Sequence, residues 1–245
     1  MMLVTGGSGN LGGALRAVFP HAAFPSRNEL DLLRRETVAA CLQTYKPSTV
    51  LHVAAYTNVR TAEDERQLCW ETNVRGTELL VEEILRQNPQ CHFVYVSTAC
   101  VFRGDRGFYS EDDIPYPKNF YGLTKLIGES IARRLPSCLI LRTNFVARGP
   151  WPYPKAFVDR FGTYLYADDV ARAIKEVMEK QLTGLVHIAG DRKFSMLELA
   201  RLSSPTVGPL NMQEVALPLT VDMTLTSNRI PLYRLTRTQE EPLVS

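Results

Sequence analysis

Short apolar runs alternate with longer segments of helical periodicity over the first 142 residues of the chain. The apolar runs have the length of buried strands, and the segments between them carry apolar residues three and four positions apart. The predicted strands read MLVT, AAFPS, TVLHVAA, HFVYVS and CLILRT, and the predicted helices read GGALRAVF, TVAACLQTY, TELLVEEIL and KLIGESIARRL. Because this alternation is typical of βαβ units, it predicts an α/β fold with a Rossmann-like, doubly wound parallel sheet.

The alternation breaks after Arg142, in a stretch rich in Pro, Gly and aromatic residues, NFVARGPWPYPKAFVDRFG. That composition is typical of a loop or lobe lying over the carboxyl edge of the sheet. A helix over ADDVARAIKEVMEK follows, with Asp168 or Asp169 at its start, and then the strand GLVHIAG and a short helix, SMLELARL. We predict a dinucleotide-binding domain over 1–142 and about 163–190, and a small C-terminal substrate-binding lobe over about 143–162 and 191–245.

Composition and charge exclude several classes of protein. The chain has 245 residues, of which 45% are hydrophobic and 22% charged, and its formal net charge is +2. This charge is too small, and the Lys and Arg residues are too scattered, for a nucleic-acid-binding surface. No apolar run reaches the roughly 18 residues of a membrane span, so we predict a cytoplasmic protein without a membrane partner. The five cysteines have no C-x-x-C spacing, which predicts neither a disulfide framework nor a metal site.

A glycine-rich stretch, VTGGSGNLGG, directly follows the first predicted strand and opens the first predicted helix. Gly7, Gly9 and Gly12 match G-x-G-x-x-G, and Gly6, Gly9 and Gly12 match the alternative G-x-x-G-x-x-G. Small residues here let the backbone turn tightly and place a pyrophosphate at a helix N-terminus, where N–H groups and the helix dipole favour an anion. The context of strand before and helix after therefore predicts dinucleotide binding.

The end of the second predicted strand bears on which dinucleotide is bound. An acid at this point takes a ribose 2′-hydroxyl, whereas a basic residue suits a 2′-phosphate. The chain has FPSRNELDL, with Ser26 and Arg27 where the acid would stand and with Glu29 and Asp31 farther on. We therefore predict NADP(H) as the preferred cofactor, with NAD(H) still possible because Arg27 could equally be an exposed loop residue.

The segment FYGLTKLIGES carries a tyrosine and a lysine four positions apart, Tyr121 and Lys125. Residues at this spacing lie on one face of a helix about one turn apart, so both polar ends can reach a single ligand. The spacing is equally compatible with a packed tyrosine beside a solvated lysine. The pair becomes informative only together with the glycine motif and with VSTACVF, which ends a later predicted strand.

Taken in order, these segments resemble the extended short-chain dehydrogenase/reductase superfamily and, within it, the dTDP-4-dehydrorhamnose reductases. The resemblance covers about residues 2–190 and rests on VLHVAAYTNV, ETNVRGTELL, YVSTACVF, NFYGLTKLIGE, LILRTNFV and YADDVARAI. It implies a catalytic set made of Thr98, Tyr121 and Lys125.

Reduction of a ketone places negative charge on its oxygen, which requires a proton donor and hydrogen bonds aimed at that atom. In the implied roles Tyr121 donates the proton, and Thr98 bonds the substrate oxygen. Lys125 lowers the pKa of Tyr121 from its usual value of about 10 and holds the nicotinamide ribose.

The same resemblance implies the lining of the cofactor site. The implied contacts comprise the glycine turn, the adenosine end, the cleft after the third predicted strand, a supporting helix and the catalytic pair: Gly6, Gly9, Asn10, Leu11, Gly12, Ser26, Arg27, Asp31, Leu32, Ala54, Ala55, Tyr56, Asn73, Tyr121 and Lys125. The implied substrate contacts are Thr98, Ala99, Cys100, Tyr121 and Phe145.

Some of these substrate contacts depart from the family pattern. The family has Asp-Tyr after its threonine where this chain has Ala99 and Cys100, and Trp where it has Phe145. A dehydratase of the superfamily needs an Asp-Glu pair after the threonine, so Ala99 and Cys100 count against that activity. The stretch between Arg148 and Tyr166 is shorter than the family norm, which implies a reduced lobe or a more open cleft.

Three functions follow as expectations. The first is an NADP(H)-dependent reductase of a nucleotide-linked 4-keto-6-deoxy sugar, with the nucleotide sugar as its small-molecule partner and a homo-oligomer possible. The second is a non-catalytic, cofactor-binding regulatory or scaffold protein, because the superfamily includes the regulatory subunit of methionine adenosyltransferase. The third is a sugar-nucleotide epimerase, which would hold NAD tightly through each turnover.

Overall fold

A computed structural model describes residues 1–236 and 241–244 of the chain. The strands are β1 (Met2–Thr5), β2 (Thr49–His52), β3 (His92–Thr98), β4 (Cys138–Thr143), β5 (Phe145–Val146), β6 (Lys155–Phe157), β7 (Phe161–Gly162), β8 (Leu165–Tyr166), β9 (Gly184–Ile188), β10 (Phe194–Ser195), β11 (Gly208–Leu210) and β12 (Asp222–Met223). The α-helices are α1 (Asn10–Val18), α2 (Arg35–Tyr45), α3 (Arg66–Trp70), α4 (Gly76–Gln87), α5 (Phe120–Ala132), α6 (Ala167–Glu179) and α7 (Met196–Arg201).

The central sheet is parallel throughout and has the strand order β1-β2-β3-β4-β9. Consecutive residues of one strand face opposite layers, as the period of a strand requires. Leu3 packs in a core with α2 and α4, whereas Val4 packs in a second core with α1 and α6. Helices therefore cover both faces of the sheet, and the predicted doubly wound α/β fold is confirmed.

The predicted strand AAFPS is wrong in extent. Only Ala23 pairs with the sheet: its N–H donates to Met2 O, and its carbonyl accepts from Val4 N. Pro25 has no N–H with which to continue such a ladder, so the edge strand ends almost where it begins. The chain then folds into turns that reach α2, which leaves Ser26 and Arg27 exposed at the edge of the sheet.

The helix formed by α3 and α4 is interrupted by a π-helical segment, Glu71–Arg75. Asn73 and Val74 are the buried residues of that segment. Such a widened turn re-aims the side chains within it and occurs frequently at functional sites. Here it directs Asn73 inward, towards the carboxyl edge of the sheet.

The region predicted to be a lobe contains short strands. Strand β7 pairs in parallel with β12 and antiparallel with β10, and β6 pairs with β11. These pairings join the two sequence-distant parts of the predicted lobe, whose boundaries stay a prediction. Residues 237–240 and 245 of that prediction lie outside the described residues.

Helix α6 starts as the sequence indicated. Asp169 at its third position accepts a hydrogen bond from the Tyr166 N–H, so the second of the two aspartates closes the start of the helix. Asp169 is fully buried and also accepts from both the N–H and the hydroxyl of Thr236. The start of α6 therefore also fastens the C-terminal segment.

All five cysteines are free thiols, and four of them are buried. Across the two described ranges, no helix is both long enough and apolar enough to cross a bilayer.

A buried ion pair joins α5 to the sheet. The Glu129 carboxylate accepts from Arg142 Nε at 2.8 Å and from Nη2 at 2.7 Å, and it also accepts from the Ser97 hydroxyl at 2.6 Å. Both charged side chains are only 3% exposed. The pair thus fixes α5 against β3 and β4, directly behind the strand ends that the sequence assigned to catalysis.

We predict that Glu129→Gln lowers the free energy of unfolding by about 3–5 kcal/mol, because it leaves the Arg142 charge buried without a counter-ion. The matched control is Glu78→Gln, which removes a carboxylate paired with the exposed Arg75 and should cost less than about 1 kcal/mol. Urea denaturation monitored by circular dichroism measures both changes. An equal loss of unfolding free energy in the two variants would show that the ion pair of Glu129 and Arg142 does not hold α5 against the sheet.

Candidate active site

The glycine turn connects the carboxyl end of β1 to the start of α1. Gly9 is the N-cap of α1 and provides no side chain to cap the first N–H groups of the helix, which belong to Asn10, Leu11 and Gly12. A Cβ on Gly12 would lie 2.2 Å from the Gly6 carbonyl oxygen, so only glycine fits there. The turn therefore presents uncapped backbone donors and a positive helix end, an arrangement suited to a pyrophosphate.

Ser26 and Arg27 lie at the edge of the sheet beyond the glycine turn. The Ser26 N–H donates to the Glu29 carboxylate at 2.8 Å, and this bond holds the pKa of Glu29 below its usual value. Glu29 therefore stays ionised, and its carboxylate is already hydrogen-bonded within its own turn. Ser26 and Arg27 are both exposed at this rim, which carries no acid at the position where an acid would select a 2′-hydroxyl.

Asp31 and Leu32, which the resemblance implied beside the adenine, take part in local structure. The Asp31 carboxylate accepts from the Leu33 N–H at 3.1 Å, and Leu32 is buried in the core beside α2. Their predicted contact with the cofactor stays a prediction.

Thr98 ends β3, the strand whose carboxyl end carries the first predicted catalytic residue. Its hydroxyl accepts from the Cys100 N–H at 3.1 Å and so caps a short 3-10 turn, Ala99–Val101. Ala99 is fully buried, and Cys100 is 5% exposed with its thiol 3.5 Å from the Met223 sulfur. The two residues that replace the family's Asp-Tyr are therefore packing residues here, and their predicted contact with substrate stays a prediction.

Tyr121 and Lys125 occupy the inner face of α5. Asn119 caps the helix, because its side-chain oxygen accepts from the Gly122 N–H at 2.8 Å. A Cβ on Gly122 would lie 2.3 Å from the Cys100 carbonyl, and a Cβ on Gly128 would lie 2.1 Å from the Tyr95 hydroxyl. Gly122, between Tyr121 and Lys125, and Gly128, beyond Lys125, thus let α5 lie directly against β3 and its turn. The sequence contained this signal, but the motif analysis did not use it.

Lys125 is 3% exposed. Its ammonium donates to the Val96 carbonyl at 2.8 Å and lies 4.1 Å from the centre of the Tyr95 ring. Burial lowers the pKa of Lys125 to about 7, against the opposing attraction of Glu129. The lysine can therefore gain and lose a proton near neutral pH, which an exposed lysine cannot do.

Tyr121 has the opposite shift from the one expected. Burial raises its pKa above the usual value, with the nearby Cys100 adding to the increase and the Thr98 side chain opposing it. The expected lowering of the Tyr121 pKa by Lys125 is not what the structure shows. The hydroxyl consequently keeps its proton at neutral pH, as a proton donor must.

Asn73 fixes the backbone that lines the cleft after β2. Its side-chain oxygen accepts from the Tyr56 N–H at 2.7 Å, and its amide donates to the Tyr56 carbonyl and to the Thr124 hydroxyl, both at 3.0 Å. Because Thr124 lies between Tyr121 and Lys125 on α5, Asn73 ties the backbone after Ala54 and Ala55 to α5. The predicted contact of Asn73 with the cofactor stays a prediction.

Phe145 lies in β5 and is half-buried at the margin of the core beside α6. Met223 and Tyr164 pack with Tyr121 and Cys100 in one cluster, although no sequence pattern pointed to either. Their segments come from the irregular half of the chain, where periodicity carries no signal.

The parallel sheet, the glycine turn and the convergence of Thr98, Tyr121 and Lys125 define a Rossmann-type protein of the extended short-chain dehydrogenase/reductase class. The profile of the RmlD substrate binding domain family matches residues 1–158. The chain belongs to this family, and the predicted family is confirmed.

Individual relatives agree with this assignment. A dTDP-4-dehydrorhamnose reductase from Aggregatibacter actinomycetemcomitans is 29% identical over 81% of this chain and 76% of its own. The methionine adenosyltransferase 2 subunit beta of Xenopus tropicalis is 33% identical over 80% and 69%. A crystal structure of a dTDP-4-dehydrorhamnose reductase from Bacillus anthracis in complex with NADP superposes with a TM-score of 0.86, at 24% identity, over 96% of this chain and 94% of that one. The predicted class of enzyme, an oxidoreductase, agrees with the names of the reductases from Aggregatibacter actinomycetemcomitans and Bacillus anthracis.

We predict that Gly12→Ala abolishes dinucleotide binding, because the added Cβ would collide with the Gly6 carbonyl and open the turn. The control is Gly13→Ala, whose Cβ would meet no atom within 4 Å and which should leave binding unchanged. Helix propensity alone favours alanine at position 13 by up to about 1 kcal/mol. Quenching of intrinsic fluorescence by NADPH measures both affinities. Unimpaired NADPH binding by Gly12→Ala would show that the glycine turn is not part of the cofactor site.

Proposed function

We propose that the chain is an NADPH-dependent reductase of a nucleotide-linked keto sugar, and that its substrate is a 4-keto-6-deoxyhexose of the dTDP-4-dehydrorhamnose type. The observation that supports the proposal is that Thr98 ends β3 while Tyr121 and Lys125 on α5 lie against this strand, at the sheet edge that also carries the glycine turn. Ligands of open α/β sheets bind outside this edge. The reductases among the relatives support the same chemistry.

The residues at the edge of the sheet fit a dinucleotide. Uncapped N–H groups at the start of α1 suit the pyrophosphate, and Arg27, exposed where an acid would otherwise select a 2′-hydroxyl, suits a 2′-phosphate. We assign the holding of the cofactor to the glycine turn, Arg27, the backbone of 54–56 and Lys125. When bound, NADPH supplies the hydride.

The chain's own residues donate the proton to the substrate and replace it afterwards. As the ketone carbon gains a hydride, its oxygen accepts the proton of the Tyr121 hydroxyl while the Thr98 hydroxyl orients that oxygen. The raised pKa of Tyr121 keeps the donor protonated in the direction of reduction. Lys125, with a pKa of about 7 and one helical turn away, can return a proton to Tyr121 after each turnover.

A regulatory role is the second candidate, and one observation favours it. The Xenopus tropicalis relative is named as a subunit of methionine adenosyltransferase, and its sequence identity of 33% compares with 29% for the Aggregatibacter actinomycetemcomitans reductase. The buried Ala99 and Cys100 are also not sugar-binding groups. Normal NADPH binding without turnover of any 4-keto sugar nucleotide would favour this candidate. The cytoplasmic location and the homo-oligomer stay predictions.

We predict that Tyr121→Phe lowers kcat by about 10²–10⁴-fold, since it removes the proton donor while preserving the ring. NADPH affinity should change by less than about twofold, because the ring of Tyr121 is kept and the glycine turn, Arg27 and Lys125 are the groups proposed to hold the cofactor. The matched control is Tyr116→Phe, which changes a tyrosine that is 66% exposed. NADPH oxidation with dTDP-4-dehydrorhamnose gives the rates. A kcat in Tyr121→Phe equal to that of the control would eliminate Tyr121 as the donor.

We predict that Arg27→Ala weakens NADPH binding by about tenfold and leaves NADH binding nearly unchanged, because only NADPH carries the 2′-phosphate. Arg103→Ala, at an arginine that is 61% exposed on the loop after β3, serves as the control for loss of one surface charge. Titration of both nucleotides against each variant provides the test. An unchanged preference would refute the role of Arg27, and NAD that stays bound through purification would instead favour an epimerase.

A further inference from the structure

A buried arginine with unusual partners lies in the segment between β6 and β7. Arg160 is 9% exposed, and its Nε donates to the Thr220 carbonyl at 3.0 Å. Among the described residues, the hydrogen-bond partners of its two terminal nitrogens are thioethers: Nη1 lies 3.5 Å from Met196 Sδ, and Nη2 lies 3.3 Å from Met223 Sδ. Thioether sulfur is a weak acceptor, so the fork of the guanidinium is poorly satisfied.

The charge of Arg160 has no counter-ion within 4 Å among the residues that the structure describes. The two neighbouring carboxylates are committed elsewhere. Asp159 accepts from the Met212 N–H at 3.0 Å, and Asp222 pairs with Lys193 and accepts from Thr224. A cation removed from water without a partner is costly, and proteins rarely keep one unless it meets an anion.

A second polar group lies beside this cation. The Tyr164 hydroxyl is buried and has no hydrogen-bond partner among the described residues. Burial raises the pKa of Tyr164 to about 12, and the Arg160 charge is the first influence that opposes the increase. Tyr164 also packs in the same cluster as Met223, whose sulfur contacts Arg160. A guanidinium and a phenol with unused hydrogen-bonding capacity thus share one buried place.

This place adjoins the reacting side chains. Met223 contacts Arg160 through its sulfur and lies 3.5 Å from the Cys100 sulfur, whose residue is bonded to Thr98. On the other side, Thr220 accepts from Arg160 through its carbonyl and from Asn119 through its hydroxyl, and Asn119 caps the catalytic helix. Two intervening residues on each path therefore connect the arginine to the groups assigned to ketone reduction.

We infer that Arg160 and Tyr164 form the seat of a phosphoryl group of the substrate, the diphosphate of the nucleotide sugar. The inference rests on the proposed function, because that function supplies a ligand with a diphosphate near its reacting sugar. Phosphoryl oxygens match the planar fork of a guanidinium far better than sulfur does. Met196 and Met223 are unbranched and adaptable, so they can yield the two nitrogens to a stronger acceptor.

The test compares Arg160→Met with the wild-type chain by calorimetric titration of dTDP and UDP, with uncharged thymidine as a second ligand. We expect dTDP binding to weaken by about tenfold or more, and thymidine and NADPH binding to stay within about twofold, because only the diphosphate loses its partner. The Tm should stay equal or rise, since replacing an unpaired buried cation by an apolar side chain of similar length removes a desolvation cost.

Arg192→Met is the matched control, because Arg192 is an exposed arginine of the same lobe that stacks on Phe194. It should bind dTDP as the wild-type chain does. Arg160→Lys, which keeps the charge without the fork, should give an intermediate affinity and decides the question if Arg160→Met fails to fold.

An unchanged dTDP affinity in folded Arg160→Met, or no binding of either nucleoside diphosphate by the wild-type chain, would overturn the inference. A fall in Tm with unchanged affinity would assign Arg160 a structural role instead. The proposed reductase activity is tested separately, by the kcat of Tyr121→Phe, and that measurement does not depend on Arg160.

Discussion

The close approach of helix α5 to strand β3 is the constraint on which the rest of the site depends. Gly128 leaves no room for a Cβ beside the Tyr95 hydroxyl, and Gly122 leaves none beside the Cys100 carbonyl. Larger residues at either position would push the helix outward and carry the tyrosine and the lysine away from Thr98. The buried pair of Glu129 and Arg142 holds the helix at this distance.

Burial at this interface sets the proton chemistry of the site. The same desolvation that holds the phenol in its neutral form brings the lysine to a pKa of about 7. His52, which is buried close to Lys125, has its pKa lowered to about 3 by burial and by that lysine, so it adds no second positive charge. Burial at this interface thus places a neutral phenol, Tyr121, next to a lysine, Lys125, that is only partly charged at neutral pH.

The sequence predicted the parallel sheet, and it indicated Thr98, Tyr121 and Lys125 as a candidate set, because the signals of both are local. Alternating apolar runs specify parallel strands one by one, and the glycine turn and the pair at 121 and 125 each occupy a single element. The edge strand was overestimated because one proline outweighs several apolar neighbours. The direction of the shift at Tyr121 could not be foreseen, since it depends on burial by residues that are distant in the chain.

Arg160, Tyr164 and Met223 illustrate the same limit. Arg160 and Met223 meet although 63 residues separate them, and Cys100 and Met223 are separated by 123. No periodicity runs through these segments, so only the folded chain shows that a charge, a phenol and a thioether share one place. The irregular half of the protein therefore contributes to the site through contacts that leave no pattern in the sequence.

The π-helical segment Glu71–Arg75 has a consequence for how this protein can change over evolutionary time. A widened turn holds one residue more than a regular one, so removing a single residue there would restore an ordinary helix. Everything on one side of the cut would then rotate by about 100° relative to the other side. Asn73 would then lose its hydrogen bonds to the backbone of Tyr56, so a one-residue deletion there would separate the helix from the cleft.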